Sequence, residues 1–370
     1  MRTRTVLASW TGLLLLAIVT PAIVGAEIRR TADGRPDLSG TYDGSTLTPL
    51  ERPPEFGDQL YLTPEQAARM VEEERALMAR GDARTGGDRQ APAVGGAAVV
   101  GFEDRREEGE AFGAGNVGAY NTFWFDRGDS VVMIDGKFRT SILTDPPNGR
   151  LPPMHPGPGA DYERKFASLM RNDGTAWWLA EGGPGPYDDM EMRPLAERCL
   201  VGFVEGPPME PGLYNNFVRV VQTSDYVVIV NEMIHDARIV RMDAEHVDPT
   251  IRRWLGDSVG HWEGGTLVIE TQNFRDETGV HYLGSSRHMK VTERLTPLAG
   301  GNLQYAFTVD DPTVWTATWS GDFVWARAEE RIFEYACHEG NYALGGVMRG
   351  ARLLEENAGG KQPAGLAKRP

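Results

Sequence analysis

A short run between two strand-like segments carries a dense set of proton-transfer groups. Residues 232–238 contain Glu232, His235 and Asp236, and an apolar run at 226–231 precedes them. Imidazole titrates near neutral pH and can act as a general acid or base, and a nearby carboxylate can orient it. The run therefore predicts a catalytic His235 with Glu232 or Asp236 as its partner. The alternative is turn chemistry, in which these side chains only hydrogen-bond the backbone.

Two further polar clusters border strand-like segments. The first begins at Asp257, and the second contains His338 and Glu339. Strand ends that are far apart in sequence become neighbours around the rim of a closed barrel. We therefore predict one shared site in which His338 with Glu339 opposes His235, and Asp257 contributes a further carboxylate. The predicted substrate-binding residues are Asn215, Asn216, Trp254, Trp262, Asn341 and Tyr342.

The sequence predicts neither a metal nor a cofactor. Its seven histidines show no His-x-His or His-Glu-x-x-His spacing, which would place two ligands on one metal. No glycine-rich phosphate-binding motif is present. Residues 256–260 match the Gly-x-Ser-x-Gly pattern around Ser258, but a nucleophile elbow needs a strand before the turn and a helix after it. Here a predicted helix comes first and a strand follows, which disfavours a serine hydrolase.

The N-terminus has the pattern of an export signal. Arg2 and Arg4 precede an apolar stretch over residues 6–24, and Val24-Gly25-Ala26 fits the small-x-small cleavage rule. The pattern predicts a signal peptide over residues 1–26 and a periplasmic or secreted protein, the alternative being an uncleaved membrane anchor. No other segment approaches transmembrane length, so no membrane span is expected after cleavage.

The net charge excludes some classes of binding partner, and the cysteine content predicts a disulfide. The formal net charge is −15, and removing residues 1–26 takes away two arginines, Arg2 and Arg4, and no acid. An acidic chain is not expected to bind nucleic acid or anionic lipid surfaces. In an oxidising compartment the two cysteines, Cys199 and Cys337, predict one disulfide. The alternatives are two separate buried thiols, or a nucleophilic Cys337 beside His338, which is disfavoured because neighbours on a strand point to opposite faces.

Short apolar runs separated by turn residues predict a mainly β protein. We expect a single lipocalin-like antiparallel β-barrel or sandwich over residues 111–352, with Gly264-Gly265 at a hairpin turn. A helical N-terminal extension over residues 27–110 contains one helix that starts with a capping box at Thr63 and Gln66. Residues 353–370 are expected to form a disordered tail. The remaining expectations are a helix over 248–256, a helix near 163–172, and a strand pair at 323–328 and 331–336.

Several of these blocks resemble a large family of exported bacterial proteins of unassigned activity. The resemblance lies in WLGDSVGHWEGGTLVIETQNF at residues 254–274 and YACHEGN at 335–341, and it covers roughly residues 115–350. His261 and Gly265 depart from the family pattern, which often has Arg and Asp there. The resemblance implies export and carries no catalytic assignment. More distantly, the strand pattern is similar to lipocalin-like barrels, including carotenoid hydratase-like proteins.

These observations predict an exported enzyme that performs cofactor-free acid–base chemistry on a small, largely apolar molecule. Hydration, elimination, isomerisation and hydrolysis all fit a His–carboxylate pair. The alternative is a non-catalytic periplasmic carrier of an apolar molecule. The two differ in the pocket: a carrier tolerates amides and aromatics, whereas an enzyme needs a titratable group that faces the ligand.

Overall fold

A computed structural model describes residues 28–81, 125–170, 174–181, 185–275 and 286–358. The predicted signal peptide, most of the predicted tail and much of the N-terminal extension lie outside these residues. Among the described residues, no helix is both long and apolar enough to cross a membrane. The predicted disulfide is present, with Cys199 and Cys337 joined and their Cα atoms 5.7 Å apart.

The described chain forms thirteen strands and three α-helices. The strands are β1 (Gly40–Asp43), β2 (Tyr61–Leu62), β3 (Met133–Ile134), β4 (Lys137–Arg139), β5 (Leu143–Asp145), β6 (Phe217–Gln222), β7 (Tyr226–Asn231), β8 (Ala237–Met242), β9 (Asp257–Glu263), β10 (Thr266–Gln272), β11 (Lys290–Pro297), β12 (Leu303–Asp310) and β13 (Trp319–Ala328). The helices are α1 (Pro64–Gly81), α2 (Pro156–Met170) and α3 (Ala343–Asn357).

Nine of the strands close into a barrel. Their order is β1-β6-β7-β8-β9-β10-β11-β12-β13, and β13 pairs back with β1, so that Thr41 lies opposite Ala328. The predicted barrel or sandwich is thus a barrel. An odd number of strands cannot alternate in direction all the way round, and the barrel closes with one parallel pair, β8–β9. It is therefore not wholly antiparallel.

The inward-facing residues alternate with outward-facing ones along the strands, as the pleat requires. In β12 every second side chain is buried, from Leu303 to Val309, while the residues between them are more exposed. The barrel core is aromatic on this side, where Tyr305 stacks on Trp325 with ring centroids 4.7 Å apart. The Gly264-Gly265 hairpin is confirmed, because Glu263 pairs with Thr266 across it.

The N-terminal part contributes both a helix and a barrel strand. The capping box at α1 is confirmed: the Thr63 N–H donates to Oε1 of Gln66, and the Gln66 N–H donates to Oγ1 of Thr63. However, β1 lies within the predicted extension over 27–110 and yet closes the barrel. The barrel therefore draws on residues from both sides of the predicted boundary at 110.

Three predicted elements differ from the structure. Residues 248–256 form turns instead of a helix, because the Arg253 N–H bonds to the Asn273 carbonyl and ties this segment to the end of β10. Residues 331–336 form no strand and do not pair with β13. Helix α3 continues to Asn357, so the predicted tail begins inside a helix. The helix predicted near 163–172 is confirmed in part as α2, which begins earlier, at Pro156.

Candidate functional site

One end of the barrel is filled by a non-helical segment, residues 199–216, which we call the plug. It enters at the end where β7 finishes and β8 begins. Val201 and Met209 are buried, and the Met209 N–H donates a 2.7 Å hydrogen bond to Oη of Tyr305 in the barrel interior. The disulfide holds the start of the plug at Cys199. The plug is thus fixed both to the core and to the chain that follows β13.

A buried ion pair lies beneath the plug. Arg238 of β8 pairs with Glu293 of β11, and neither side chain is appreciably exposed. Tyr305 donates a 2.8 Å hydrogen bond to Oε1 of Glu293 while accepting from Met209. Burial, followed by the charge of Glu293, raises the pKa of Tyr305 well above its ordinary value, so the phenol keeps its proton. This network is fully paired and positions the plug.

A small cleft, partly open to solvent, lies between the plug and the barrel wall. Its polar lining residues are Glu205, Glu210, Asn215, Asn216 and Asn231, and its apolar ones include Val204, Met209, Phe217, Val218, Phe323 and Trp325. Two of the predicted substrate-binding residues, Asn215 and Asn216, line this cleft.

Two carboxyl groups in the cleft titrate far from their ordinary range. Burial raises the pKa of Glu205 from 4.5 to about 8, although the Val204 N–H, which donates to its Oε2 at 2.9 Å, opposes the shift. Burial and then the charge of Glu205 raise the pKa of Glu210 to about 8 as well. Loss of hydration disfavours the carboxylate form, and two like charges oppose one another. Both groups are therefore largely protonated at neutral pH.

Two buried oxygens of the cleft lack a hydrogen-bond partner within the described part of the chain. They are Oε1 of Glu205 and Oδ1 of Asn231. The amide nitrogen of Asn231 donates to the Glu205 carbonyl at 3.0 Å, which leaves its oxygen turned to accept. Buried polar atoms are seldom left unpaired, so a pair of them in one cleft indicates a place for a bound donor.

Gly202 connects the cleft to the predicted catalytic run. The Gly202 N–H donates a 3.1 Å hydrogen bond to Oδ2 of Asp236. On its other side, a Cβ at Gly202 would lie only 1.9 Å from Oε2 of Glu205. Burial raises the pKa of Asp236 to about 6, and this carboxylate in turn raises the pKa of Glu205. The Glu205 and Asp236 carboxyl groups are therefore electrostatic neighbours across one glycine.

The residues of the 232–238 run take different positions. His235 is exposed and lies in the left-handed region at φ 47°, directly after Ile234 at φ 55°. A β-branched residue there is an unusual conformation, and it forms a tight turn that leaves His235 in solvent beside Asp236. Glu232 is buried, and its Oε1 accepts a 3.0 Å hydrogen bond from the Phe333 N–H. Neither His235 nor Glu232 lines the cleft.

Further carboxyl groups surround the same end of the barrel. Loss of hydration, followed by the charge of Asp43, raises the pKa of Asp126, and Glu232 adds to the effect. The Asp126 carbonyl accepts a hydrogen bond from the amide of Asn216, which places this group beside the cleft. The surroundings of the cleft are therefore strongly acidic.

The predicted cluster after β13 lies on the surface. His338, Glu339, Asn341 and Tyr342 are exposed, and none of them lines the cleft. Cys337 holds this segment against the plug, so His338 and His235 lie towards the same end of the barrel. A catalytic role for either histidine stays a prediction.

Asp257, Trp254 and Trp262 lie outside the cleft. Asp257 is buried among Arg241, His246 and the more exposed Arg253, with O···N distances of 2.8, 3.0 and 3.2 Å. Burial alone would raise the pKa of Asp257, but hydrogen bonds from His246 and the Val247 N–H, with the charge of Arg241, lower it. This arrangement ties the turn before β9 to the barrel wall. Trp254 packs under the guanidinium of Arg275, and Trp262 packs against the core.

Sequence reasoning did not find Glu205, Glu210 and Asn231. The two glutamates stand alone in a segment rich in proline and glycine, and no motif surrounds them. Asn231 is the last residue of a strand, where an asparagine is ordinarily read as a turn residue. The sequence offers one signal for this cleft, which is a pair of carboxylates in a loop that also contains a cysteine.

No protein-family model, curated protein or solved structure matches this chain. The resemblance to a family of exported bacterial proteins stays a prediction.

Proposed function

We propose that this protein is an exported enzyme that performs acid–base chemistry on a small, largely apolar molecule in the cleft between the plug and the barrel. The observation that carries the proposal is the pair of carboxyl groups, Glu205 and Glu210, which line one cleft and both titrate near pH 8. Groups whose pKa lies near the working pH are suited to proton transfer. The export signal pattern and the disulfide support a location outside the cytoplasm.

The two carboxyl groups have different roles in this proposal. Glu205 accepts a hydrogen bond from the Val204 N–H, which stabilises its ionised form, and we assign it as the base. Glu210 keeps its proton because the charge of Glu205 opposes its ionisation, which makes it the acid. In a hydration, water gives a proton to Glu205 and its hydroxide adds to the substrate, while Glu210 gives its proton to the adjacent atom. Hydrolysis, elimination and isomerisation use the same exchange of two protons.

The carboxyl groups must then return to their starting protonation states. Asp236 interacts electrostatically with Glu205, is only partly buried, and is next to the exposed His235 in the chain. We propose that a proton leaves Glu205 through Asp236 and His235, and that Glu210 is reprotonated from solvent through the mouth of the cleft. This assigns His235 and Asp236 to proton exchange with solvent, and not to contact with the substrate.

Solvent-isotope incorporation tests the proposed enzyme even while its substrate is unidentified. Small molecules that raise the melting temperature are incubated with the full chain in D₂O or H₂¹⁸O and analysed by mass spectrometry. We expect isotope incorporation into at least one ligand by the wild type. We expect Glu205→Gln and Glu210→Gln to abolish it, and Glu329→Gln, an exposed glutamate just beyond β13, to retain it. A ligand that binds the cleft and never exchanges would support the carrier instead.

A further inference from the structure

The cleft offers acceptors and acidic groups but no basic side chain. Glu205 and Glu210 line it, Asp236 and Asp126 lie beside it, and no Lys, Arg or His is among its described lining residues. The guanidinium of Arg238 lies 3.9 Å from the sulfur of the lining residue Met209, and its charge is already paired with Glu293. The field in the cleft therefore favours a positive charge over a negative one.

The two unpaired oxygens of the cleft need a hydrogen-bond donor. Oδ1 of Asn231 can only accept, and Asn231 is 2% exposed. Oε1 of Glu205 is equally buried and becomes a strong acceptor once this carboxyl group ionises. A primary ammonium group has three N–H donors and no acceptor, so it satisfies both oxygens and leaves no unpaired atom of its own. A carboxylate or phosphate would add acceptors where donors are lacking.

The rest of the lining suits an organic cation. Phe323 and Trp325 present aromatic side chains to the cleft, and Met209 and Val218 add apolar surface. Aromatic rings attract cations and also accept an apolar body. Within the described residues no group of three or more His, Cys, Asp or Glu side chains is arranged to hold a metal ion. The donor set therefore fits a basic nitrogen on a small molecule better than a bare cation.

We propose that the ligand of this cleft is a small, largely apolar amine, whose ammonium group binds between the carboxyl group of Glu205 and the side-chain oxygen of Asn231. The inference rests on the proposed function in that it concerns the same cleft, and it names the substrate class. It would hold equally for a carrier.

Binding of an ammonium group should release a proton from the cleft. A cation stabilises the ionised form of Glu205, so its carboxyl proton is lost on binding, while the charge of Glu205 keeps the proton on Glu210. Asp236 is the titratable group that acts on Glu205, and Asp126 lies beside the cleft with Asp43 and Glu232 near it. Arg238, which contacts Met209, and Tyr305 are both bound to Glu293. Affinity for an amine should thus rise by up to about tenfold per pH unit, for each proton released, between pH 6 and 8.

Three molecules of one shape and different charge test this inference. Isothermal titration of the disulfide-bonded chain is performed with benzylamine, benzyl alcohol and benzoate, at pH 6.5 and pH 8. We expect benzylamine to bind about tenfold or more tightly than benzyl alcohol, since hydrogen bonds to charged groups contribute more than neutral ones. Benzoate should not bind. Heats measured for benzylamine in phosphate and in Tris should differ because protons are released.

Variants separate the possible outcomes. Glu205→Gln should lose most of the preference for benzylamine and its dependence on pH, Glu210→Gln should lose part of it, and Glu329→Gln should behave as the wild type. Melting curves verify that each variant folds. Equal or tighter binding of benzyl alcohol or benzoate, or no binding of any probe at millimolar concentration, overturns the inference. Amine binding without isotope exchange supports the amine ligand and contradicts the proposed enzyme. Isotope exchange into a neutral ligand supports the proposed enzyme and contradicts the amine ligand.

Discussion

The backbone N–H of Gly202 donates a 3.1 Å hydrogen bond to Oδ2 of Asp236. This bond connects the plug to the turn between β7 and β8, and it brings Asp236 close to the carboxyl group of Glu205, which packs on the other side of the same glycine. A carboxyl group in the cleft, a partly buried carboxyl group and an exposed histidine are thereby brought together at this end of the barrel. The position of the plug, and not the spacing of motifs, creates this arrangement.

Substitution of Gly202 by alanine should displace Glu205. The added Cβ would lie 1.9 Å from Oε2 and 2.6 Å from the carboxyl carbon of Glu205, and both atoms belong to a buried side chain that has little room to move. We expect a loss of roughly 1–3 kcal/mol in the free energy of unfolding, as is usual for overpacking, together with loss of ligand binding in the cleft. Denaturant titration and calorimetry measure the two effects.

Gly265→Ala provides the matched control for this substitution. Gly265 lies in the β9–β10 hairpin, and a Cβ there meets nothing within 4 Å. It should leave binding unchanged and alter stability only slightly. A Gly202→Ala protein with wild-type binding would contradict the placement of Glu205 against this glycine.

The two carboxyl groups of the cleft should make the protein less stable as pH rises. In the folded state Glu205 and Glu210 hold their protons up to about pH 8, whereas the ordinary value of 4.5 applies when the chain is unfolded. Their contribution to stability is therefore complete below pH 4.5 and is lost progressively up to about pH 8. The loss is roughly 1.4 kcal/mol per pH unit for each group.

Urea titrations at pH 5, 6, 7 and 8 measure this dependence as a difference between proteins. Glu205→Gln should flatten the fall in stability relative to the wild type and should be the more stable protein at pH 8. Glu329→Gln should follow the wild-type curve. If Glu205→Gln keeps the full slope, this carboxyl group is ionised in the folded protein, and its assignment as a group that titrates near pH 8 is wrong.

Asp257 should support the fold without acting on a ligand. It is buried among two arginines and a histidine, and its removal would leave their donors without a partner. Asp257→Asn should lower the free energy of unfolding by about 1–3 kcal/mol and leave binding in the cleft intact. The contribution of this low-pKa carboxylate is present above pH 3.8 and is lost as pH falls through its lowered pKa.

Glu245→Gln, an exposed neighbour in the same turn, is the control and should have little effect. If Asp257→Asn lost isotope exchange but kept wild-type stability, Asp257 would have the catalytic role that the sequence predicts.

Reduction of the disulfide should loosen the plug. Cys199 begins the plug and Cys337 follows the barrel, so the link restrains both segments. The unreduced protein should show no free thiol under denaturing conditions. The double variant Cys199→Ala with Cys337→Ala should lose about 2–5 kcal/mol of stability and most of its affinity for the cleft ligand. A reducing agent should affect the wild type in the same way and leave the double variant unchanged; equal responses would show that the reductant acts elsewhere.

Sequence reasoning succeeded where structure is local. Gly264-Gly265 between two alternating runs specifies a hairpin, and Thr63 with Gln66 specifies the start of α1, because in each case the interacting residues are near neighbours. The disulfide followed from there being only two cysteines in a chain with an export signal pattern.

The same reasoning failed where contacts between residues far apart in sequence determine the structure. Asp248 and Pro249 look like the start of a helix, and Asp248 does accept a hydrogen bond from the Thr250 N–H. The chain then forms turns because the Arg253 N–H bonds to the Asn273 carbonyl, a contact that no local pattern reveals. The cleft was missed for a related reason: Glu205 reaches it only because the whole plug folds into the barrel, whereas Asn215 and Asn216 precede a strand and were accessible to local reasoning.

The pairing of β1 with β13 has a consequence for the order of folding. Thr41 faces Ala328 across this seam, so the barrel cannot close until almost the entire chain is present. The meander from β9 to β13 joins strands that follow one another in sequence, and it can form early, whereas contacts between distant segments form slowly. We expect pulsed hydrogen exchange to protect the amides of β10–β12 before those of β1; simultaneous protection would contradict this. The barrel can close only when β1 pairs with β13, so the chain stays incompletely folded for most of its synthesis. An incompletely folded chain is compatible with passage across a membrane before folding.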